Sequence, residues 1–482
     1  MSESHASTTT ITVSSGHLRG ARTGAVERFL GIPYAAPPFG ERRFALPEPA
    51  PAWQGVRDAT AFGPTVPQHP YYGPIGELLG TVEIPGDDVL TVNVWTPSSR
   101  DGGGLPVMVW LHGGALERGT PALPLYDGTA FARDGVVFVS IAHRVGVEGF
   151  SVLEGAPLNL GLSDAAAGLR WVYDEIAAFG GDPARITIVG ESAGGALVAA
   201  LLARPDTAPL IARAVIESGP LVAETPERAG RVTRALAKHL GVPATREAFA
   251  GLPPERLLEA RRELAAGSSP LGGAPGFALA VDPASLPVSP HEALAASAVP
   301  LVIGTNTDEY RLWFPPAALA AISPLKLQLA RLALKISGRA LRAYRHDWPD
   351  ASTGELFGQL ATDVLLRRAM IDVARARTAP TYVYEFAWAS PVRDLRAAHA
   401  LEIAFVFDRV AADEAVRMLG PAAPQQLADR MHGNWVRFVS SGDPGWPAFG
   451  SGGEVQVFDS APHVAPLPRA EAAAALPAPR VR

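Results

Sequence analysis

Cysteine is absent from this chain of 482 residues. That excludes disulfides, thiolate nucleophiles and cysteine-held metals, and it fits a reducing compartment best. Lysine occurs only at 238, 326 and 335, so arginine carries nearly all the positive charge. With a net charge of −6, an isoelectric point near 6.0 and no basic block, nucleic acid is not expected as a partner. No uninterrupted apolar stretch approaches the ~18–20 residues that span a bilayer, so no membrane partner is expected either. The opening MSESHASTTT has neither the basic nor the apolar region of a secretory signal. A cytoplasmic location is the resulting expectation. His-Glu-x-x-His, a Walker loop and the dinucleotide fingerprint are all missing, so no metal or cofactor is expected.

What the chain does have is an apolar share of 48%, enough for a large core. Residues 1–220 and 299–310 alternate between strand and helix patterns. The runs 105–111 and 136–141 are continuously apolar, as in strands buried on both faces. Residues 165–179 have helical spacing through Leu169, Val172, Ile176 and Phe179, and stop at Gly180. Further strands are expected at 186–189, 214–216, 299–304, 382–388 and 454–458, with a helix over 424–441. This alternation implies an α/β fold, a mostly parallel sheet with helices on both faces, in a single domain over 1–482. Two helical excursions, 222–295 and the basic, leucine-rich 315–378, are expected to cap the carboxyl edge of the sheet, where sites in such folds lie. The tail from Ala461 reads as loosely held.

The most informative segment is IVGESAGG at 188–195. A β-branched run ends at Gly190, a small-residue helix pattern begins at Ala193, and Ser192 stands between Gly190 and Gly194. Gly-x-Ser-x-Gly between a strand and a helix is the context of a nucleophile elbow. The turn tolerates almost no side chain beside the serine, and the free N–H groups of the following helix point where negative charge would develop.

A serine hydroxyl needs a base, and the base needs an acid to hold it. In α/β-hydrolases these follow in the order Ser, Asp/Glu, His. Two adjacent acids, Asp308 and Glu309, follow the strand at 299–304, and the residues alone do not separate them. Of eleven histidines, most precede the elbow or lie in the excursions and the tail. His399, in a loop after a strand, suits a mobile base, whereas His432 has the pattern of a helix-face residue. His112-Gly113-Gly114-Ala115 after the strand 105–111 resembles a loop that aims backbone N–H groups at an oxyanion. Each such donor contributes about 3–4 kcal/mol in the transition state.

At this point nearly the whole chain resembles the type-B carboxylesterase/cholinesterase family, its bacterial carboxylesterases in particular. FLGIPYAAPPFGERRF at 29–44 is similar to the N-terminal signature, and DDVLTVNV at 87–94 to the second signature, E-D-C-L-x-L-N-V. NLGLSD at 159–164, FGGDP at 179–183, WVRF at 435–438 and GDP at 442–444 match as well. The resemblance implies an uncharged-ester hydrolase with an acyl-enzyme intermediate and the triad Ser192, Glu309 and His399. Tyr310 and Ala400 replace family glycines beside the acid and the base. It also implies an oxyanion hole of Gly114, Ala115 and the N–H of Ala193, with Glu191, Glu402 and Ser218 in support. Val66 and Val89 stand at positions of the family's first disulfide, so the loop 67–88 is expected to be held by packing. Its aromatics, Tyr71 and Tyr72, read as a turn packed on the surface.

Leu116, Trp313 and Phe314 follow mechanistic residues and are candidates for the substrate pocket. A non-enzymatic adhesion or scaffold protein of the same fold is the competing reading, but such proteins usually lack a triad member. Carbamates, amides or polyester oligomers would use the same machinery with a different leaving-group pocket. The expected partner is a small-molecule ester, and the expected state a monomer or small homo-oligomer.

Overall fold

The computed structural model describes residues 7–99, 103–266, 276–450 and 452–478. The chain start with His5, and 267–275 within the first helical excursion, lie outside the described residues. The strands are β1 (Ser7–Val13), β2 (Gly16–Thr23), β3 (Val26–Pro33), β4 (Val56–Asp58), β5 (Thr91–Pro97), β6 (Leu105–Leu111) and β7 (Val137–Ile141). They continue with β8 (Gly181–Glu191), β9 (Arg213–Glu217), β10 (Leu301–Asn306), β11 (Thr381–Phe386), β12 (Glu454–Phe458) and β13 (His463–Pro466). All belong to one 13-stranded sheet ordered β1-β2-β3-β5-β7-β6-β8-β9-β10-β11-β12-β13, with β4 beside β2.

From β7 through β12 in that order every neighbouring pair is parallel, while the flanking strands pair antiparallel, apart from β4, which runs parallel to β2. The parallel block is covered on both faces, and the two-residue period of a strand sends successive side chains to opposite layers. On β6, Val107, Val109 and Leu111 enter one core with the helices Leu160–Glu175 and Ala193–Leu202, through Leu169, Val172 and Leu197. Met108 and Trp110 enter the other, with Phe131 and with Trp435 and Phe438 of the helix Gln425–Ser441. Full burial of each such large side chain contributes ~1.5–3 kcal/mol.

The segments after β9 and β10 are helical where described, including Arg231–Leu240, Pro254–Ala266, Pro324–Ala333, Gly338–Asp347 and Thr353–Thr362. Two features differ from the sequence reading. Residues 7–97 form strands that pair antiparallel except for β4, which runs parallel to β2, with only the short helices Gly40–Arg42 and Gly73–Leu78, rather than strand–helix alternation. The tail is not loose: β13 pairs with β12, the helix Ala470–Ala474 buries Ala472 and Ala473, and Arg368 donates to the carbonyls of Ala474 and Leu476.

Candidate active site

Three neighbouring strands end together at the carboxyl edge, where ligands of parallel sheets bind. β8 ends at Glu191 and delivers Ser192, and β6 ends at Leu111 and delivers the loop from His112. β9 ends at Glu217, whose carbonyl accepts the Ser192 N–H at 2.8 Å. Ser192 is held at φ 53° and ψ −124°, a strained backbone that costs about 1–3 kcal/mol and turns the hydroxyl out of the sheet. The flanking glycines have a steric cause. A Cβ on Gly190 would meet Gly194 C at 2.5 Å, and one on Gly194 would meet Leu111 O at 2.0 Å.

His399 Nδ1 lies 2.6 Å from Glu309 Oε2, with both side chains buried. Glu309 Oε1 accepts from the Ser218 hydroxyl at 2.6 Å and from the Asn306 N–H at 2.8 Å, so both carboxylate oxygens are held. Asp308 makes no hydrogen bond to His399 among the described residues; burial raises its carboxyl above the ordinary range, and the charges of Arg469, Arg311 and Arg396 act against that rise. His432 is engaged by the Val406 carbonyl at 2.8 Å and Asp134 at 3.0 Å and packs on Phe131, in a different part of the molecule from Ser192.

His399 Nε2 faces Glu191 Oε1 at 3.1 Å, and the Ser192 hydroxyl makes no hydrogen bond among the described residues. The imidazole and the hydroxyl open onto one cavity. Burial alone would lower the imidazolium pKa, but the carboxylates of Glu191 and Glu309 outweigh it and raise His399 to about 9. Burial pushes Glu191 up to about 7 and Glu217 up to about 8. Glu402 is also raised well above the ordinary carboxyl range by burial, and it reaches the site through Asn306, whose Nδ2 donates to Glu402 Oε2 at 2.5 Å.

Gly114 and Ala115 have φ of 114° and 60°, and the carbonyl of Gly114 accepts from the N–H groups of Glu117 and Arg118. Their own N–H groups, and that of Ala193, donate no hydrogen bond among the described residues. Below this loop His112 and His143 stack at 4.5 Å, and burial lowers them to about 3 and about 4, so both rings are neutral.

Of the expected pocket residues, Trp313 lines the cavity, 4.7 Å from His399 between ring centroids. Leu116 does not: it is 7% exposed and packed in the core, because its own φ of 59° turns it inward. Phe314 packs edge-on against Phe357 at 5.5 Å instead. Val66 and Val89 are both buried in the core, and the loop between them is further held by Thr65 to Ile84 and Gln68 to Gly119 hydrogen bonds. Tyr72 is exposed, as a surface turn requires, but Tyr71 lines the cavity with the Arg118 guanidinium 4.7 Å from its ring centroid. Sequence reasoning placed Tyr71 on the surface and missed Arg118 and Asn306. Only for Asn306 was there a signal, a polar residue at a strand end three positions before the acid.

The chain matches the model of the carboxylesterase family over residues 7–456. It is 36% identical to the para-nitrobenzyl esterase of Bacillus subtilis over 474 residues, covering 91% of this chain and 92% of that one. It is also 36% identical to the phenmedipham hydrolase of Pseudarthrobacter oxydans over 462 residues, 90% of this chain and 92% of that one. A crystal structure of a Geobacillus stearothermophilus carboxylesterase superposes with a TM-score of 0.86 at 36% identity, covering 97% and 100% of the two chains.

Proposed function

The chain belongs to the carboxylesterase family and is a carboxylic-ester hydrolase with an α/β-hydrolase fold; we propose that it hydrolyses uncharged esters through a Ser192–His399–Glu309 triad and an acyl-enzyme. The observation that carries this reading is the convergence of three things on one cavity. They are a strained serine, a histidine held at 2.6 Å by a buried glutamate, and the backbone N–H groups of Gly114 and Ala115, which donate to no described residue, with that of Ala193 beside the serine likewise free among them.

The imidazole turns from Glu191 to the Ser192 hydroxyl of the next residue and takes its proton as Oγ attacks the ester carbonyl. The oxyanion accepts from Gly114, Ala115 and Ala193, which need no reorganisation at that moment. Glu309 stabilises the imidazolium, which then protonates the departing alcohol. Water repeats the sequence on the acyl-enzyme. Stoichiometric labelling by an organophosphate with the adduct mapped to Ser192 tests the acyl-enzyme; an adduct on any other residue sinks it. The substrate is a small-molecule ester, the setting cytoplasmic, and the chain works as one domain.

Activity rises with pH, because only the neutral imidazole accepts the serine proton. The raised pKa of His399 puts that rise on the alkaline side of an ordinary imidazole. Removing the charge facing Nε2 lowers His399, so Glu191→Gln shifts the ascending limb of kcat/KM to lower pH by roughly one unit. An unmoved or alkaline-shifted limb contradicts this assignment of the field at His399.

Choline esters are poor substrates. A quaternary ammonium needs an open aromatic face, and the face of Tyr71 is covered by the guanidinium of Arg118. The expected kcat/KM for butyrylthiocholine is roughly tenfold or more below that for an uncharged thioester of equal acyl length. A preference for the cation would assign its recognition to Trp313, which also lines the cavity.

A further inference from the structure

The three most exposed large apolar side chains among the described residues are Leu325, Leu332 and Leu329, at 69%, 62% and 58%. All three lie on the helix Pro324–Ala333. Spacings of four and three residues put them on one stripe, opposite Leu327, the side chain this helix buries. Such a stripe is unusual on a soluble surface, where large apolar residues are normally scattered singly.

Its surroundings are charged with one sign. Lys326 on the same helix, Lys335 after it, and Arg339, Arg342 and Arg345 on the helix Gly338–Asp347 are exposed. None of them makes an ion pair with a described residue. No acidic residue occurs between Glu309 and Asp347, and two of the chain's three lysines fall in this stretch, in a protein of net charge −6. The opposite, buried side of the helix packs on Thr353–Thr362, which in turn packs on the turn Glu309–Leu312.

We propose that this leucine stripe and its cations form a docking surface for an anionic lipid bilayer. The leucines enter the boundary between headgroups and acyl chains, and the lysines and arginines meet the lipid phosphates. One signal gives only marginal binding, and stable anchoring takes an apolar contact together with a basic patch. A second copy fits poorly, because a two-fold contact would set the same cations against each other. No helix among the described residues is long and apolar enough to cross a membrane. Lying on a surface requires no such helix. The inference goes beyond the ester chemistry and does not depend on the triad.

Sedimentation with vesicles tests it. The full chain is expected to bind vesicles of phosphatidylcholine with phosphatidylserine about tenfold better than phosphatidylcholine alone, and to release as salt rises. The combined variant Leu325→Ser, Leu329→Ser, Leu332→Ser loses that binding. So does Lys326→Gln, Lys335→Gln, Arg339→Gln, Arg342→Gln. Both turn over a water-soluble ester at the wild-type rate, which also reports that they fold. Equal binding to both vesicle types, or wild-type binding by the leucine variant, overturns the proposal. A wild-type dimer that the leucine variant dissociates, with no vesicle binding, assigns the face to a second copy instead. Displacement from vesicles by soluble polyglutamate that does not depend on the leucines assigns it to an acidic polypeptide.

Discussion

Ser192→Ala abolishes ester turnover, with a loss of about a million-fold in kcat and a residual rate still above that in water. The variant keeps the cavity, His399 and the three free N–H groups, so substrate still binds and a little catalysis remains. No other hydroxyl stands at the junction of β8 and its following helix, so none can take over the acyl group. The substitution is also sterically mild. Alanine fits the space of serine, and the strained φ of 53° is imposed by the surrounding glycines and strands rather than by the hydroxyl. Thermal unfolding is therefore expected to stay near wild type while burst and steady-state rates vanish. A variant that remains folded and retains more than about a hundredth of the activity removes Ser192 as nucleophile, since triad serines carry several further orders of magnitude.

His399→Ala is as damaging as the loss of the serine, because members of a triad act as a unit and their losses do not add. The double variant Ser192→Ala, His399→Ala is therefore no worse than either alone. Glu309→Gln costs about 10⁴-fold, since a neutral amide neither stabilises the imidazolium nor keeps Nδ1 as the donor. Asp308→Asn and His432→Ala stay within a few-fold of wild type: it is Glu309, not Asp308, that lies against His399, and the second histidine is tied to Val406 and Asp134. Equal losses in Glu309→Gln and Asp308→Asn, measured as kcat/KM on an aryl ester, would return the acid to an open question. A collapse in His432→Ala with His399→Ala intact would move the base.

Some of this molecule is legible in the chain because its causes are local. The strand 105–111 coincides with an apolar run, since a strand covered on both faces admits little else, and 454–458 alternates polar Glu454 and Gln456 with buried Val455 and Val457. β8 begins earlier than its apolar run, at Gly181, because the polar start of a strand carries no hydrophobic signal. The antiparallel N-terminal flank was not separable from the alternating pattern that follows it. Partner choice between strands depends on residues far apart in sequence, as in the pairing of β3 with β5. The tail was misread because alanine and proline suggest looseness, whereas its order comes from β12 and Arg368.

The same division runs through the site. The sequence by itself determined the elbow, the candidate histidine and the pair of candidate acids, because a turn that admits only glycine beside a serine is written within a few residues. It also determined that no disulfide closes the loop 67–88, since there is no cysteine to form one. The resemblance to the family then singled out Glu309 of the two acids, but only the tertiary structure decided that Asn306 ties Glu309 to Glu402, and that Leu116 and Phe314 turn into the core. It likewise decided that Tyr71 enters the cavity under Arg118 rather than lying on the surface. Each of these is a contact between separate loops, and strand order and register, not the spacing of residues along the chain, set which loops meet at the carboxyl edge of the sheet.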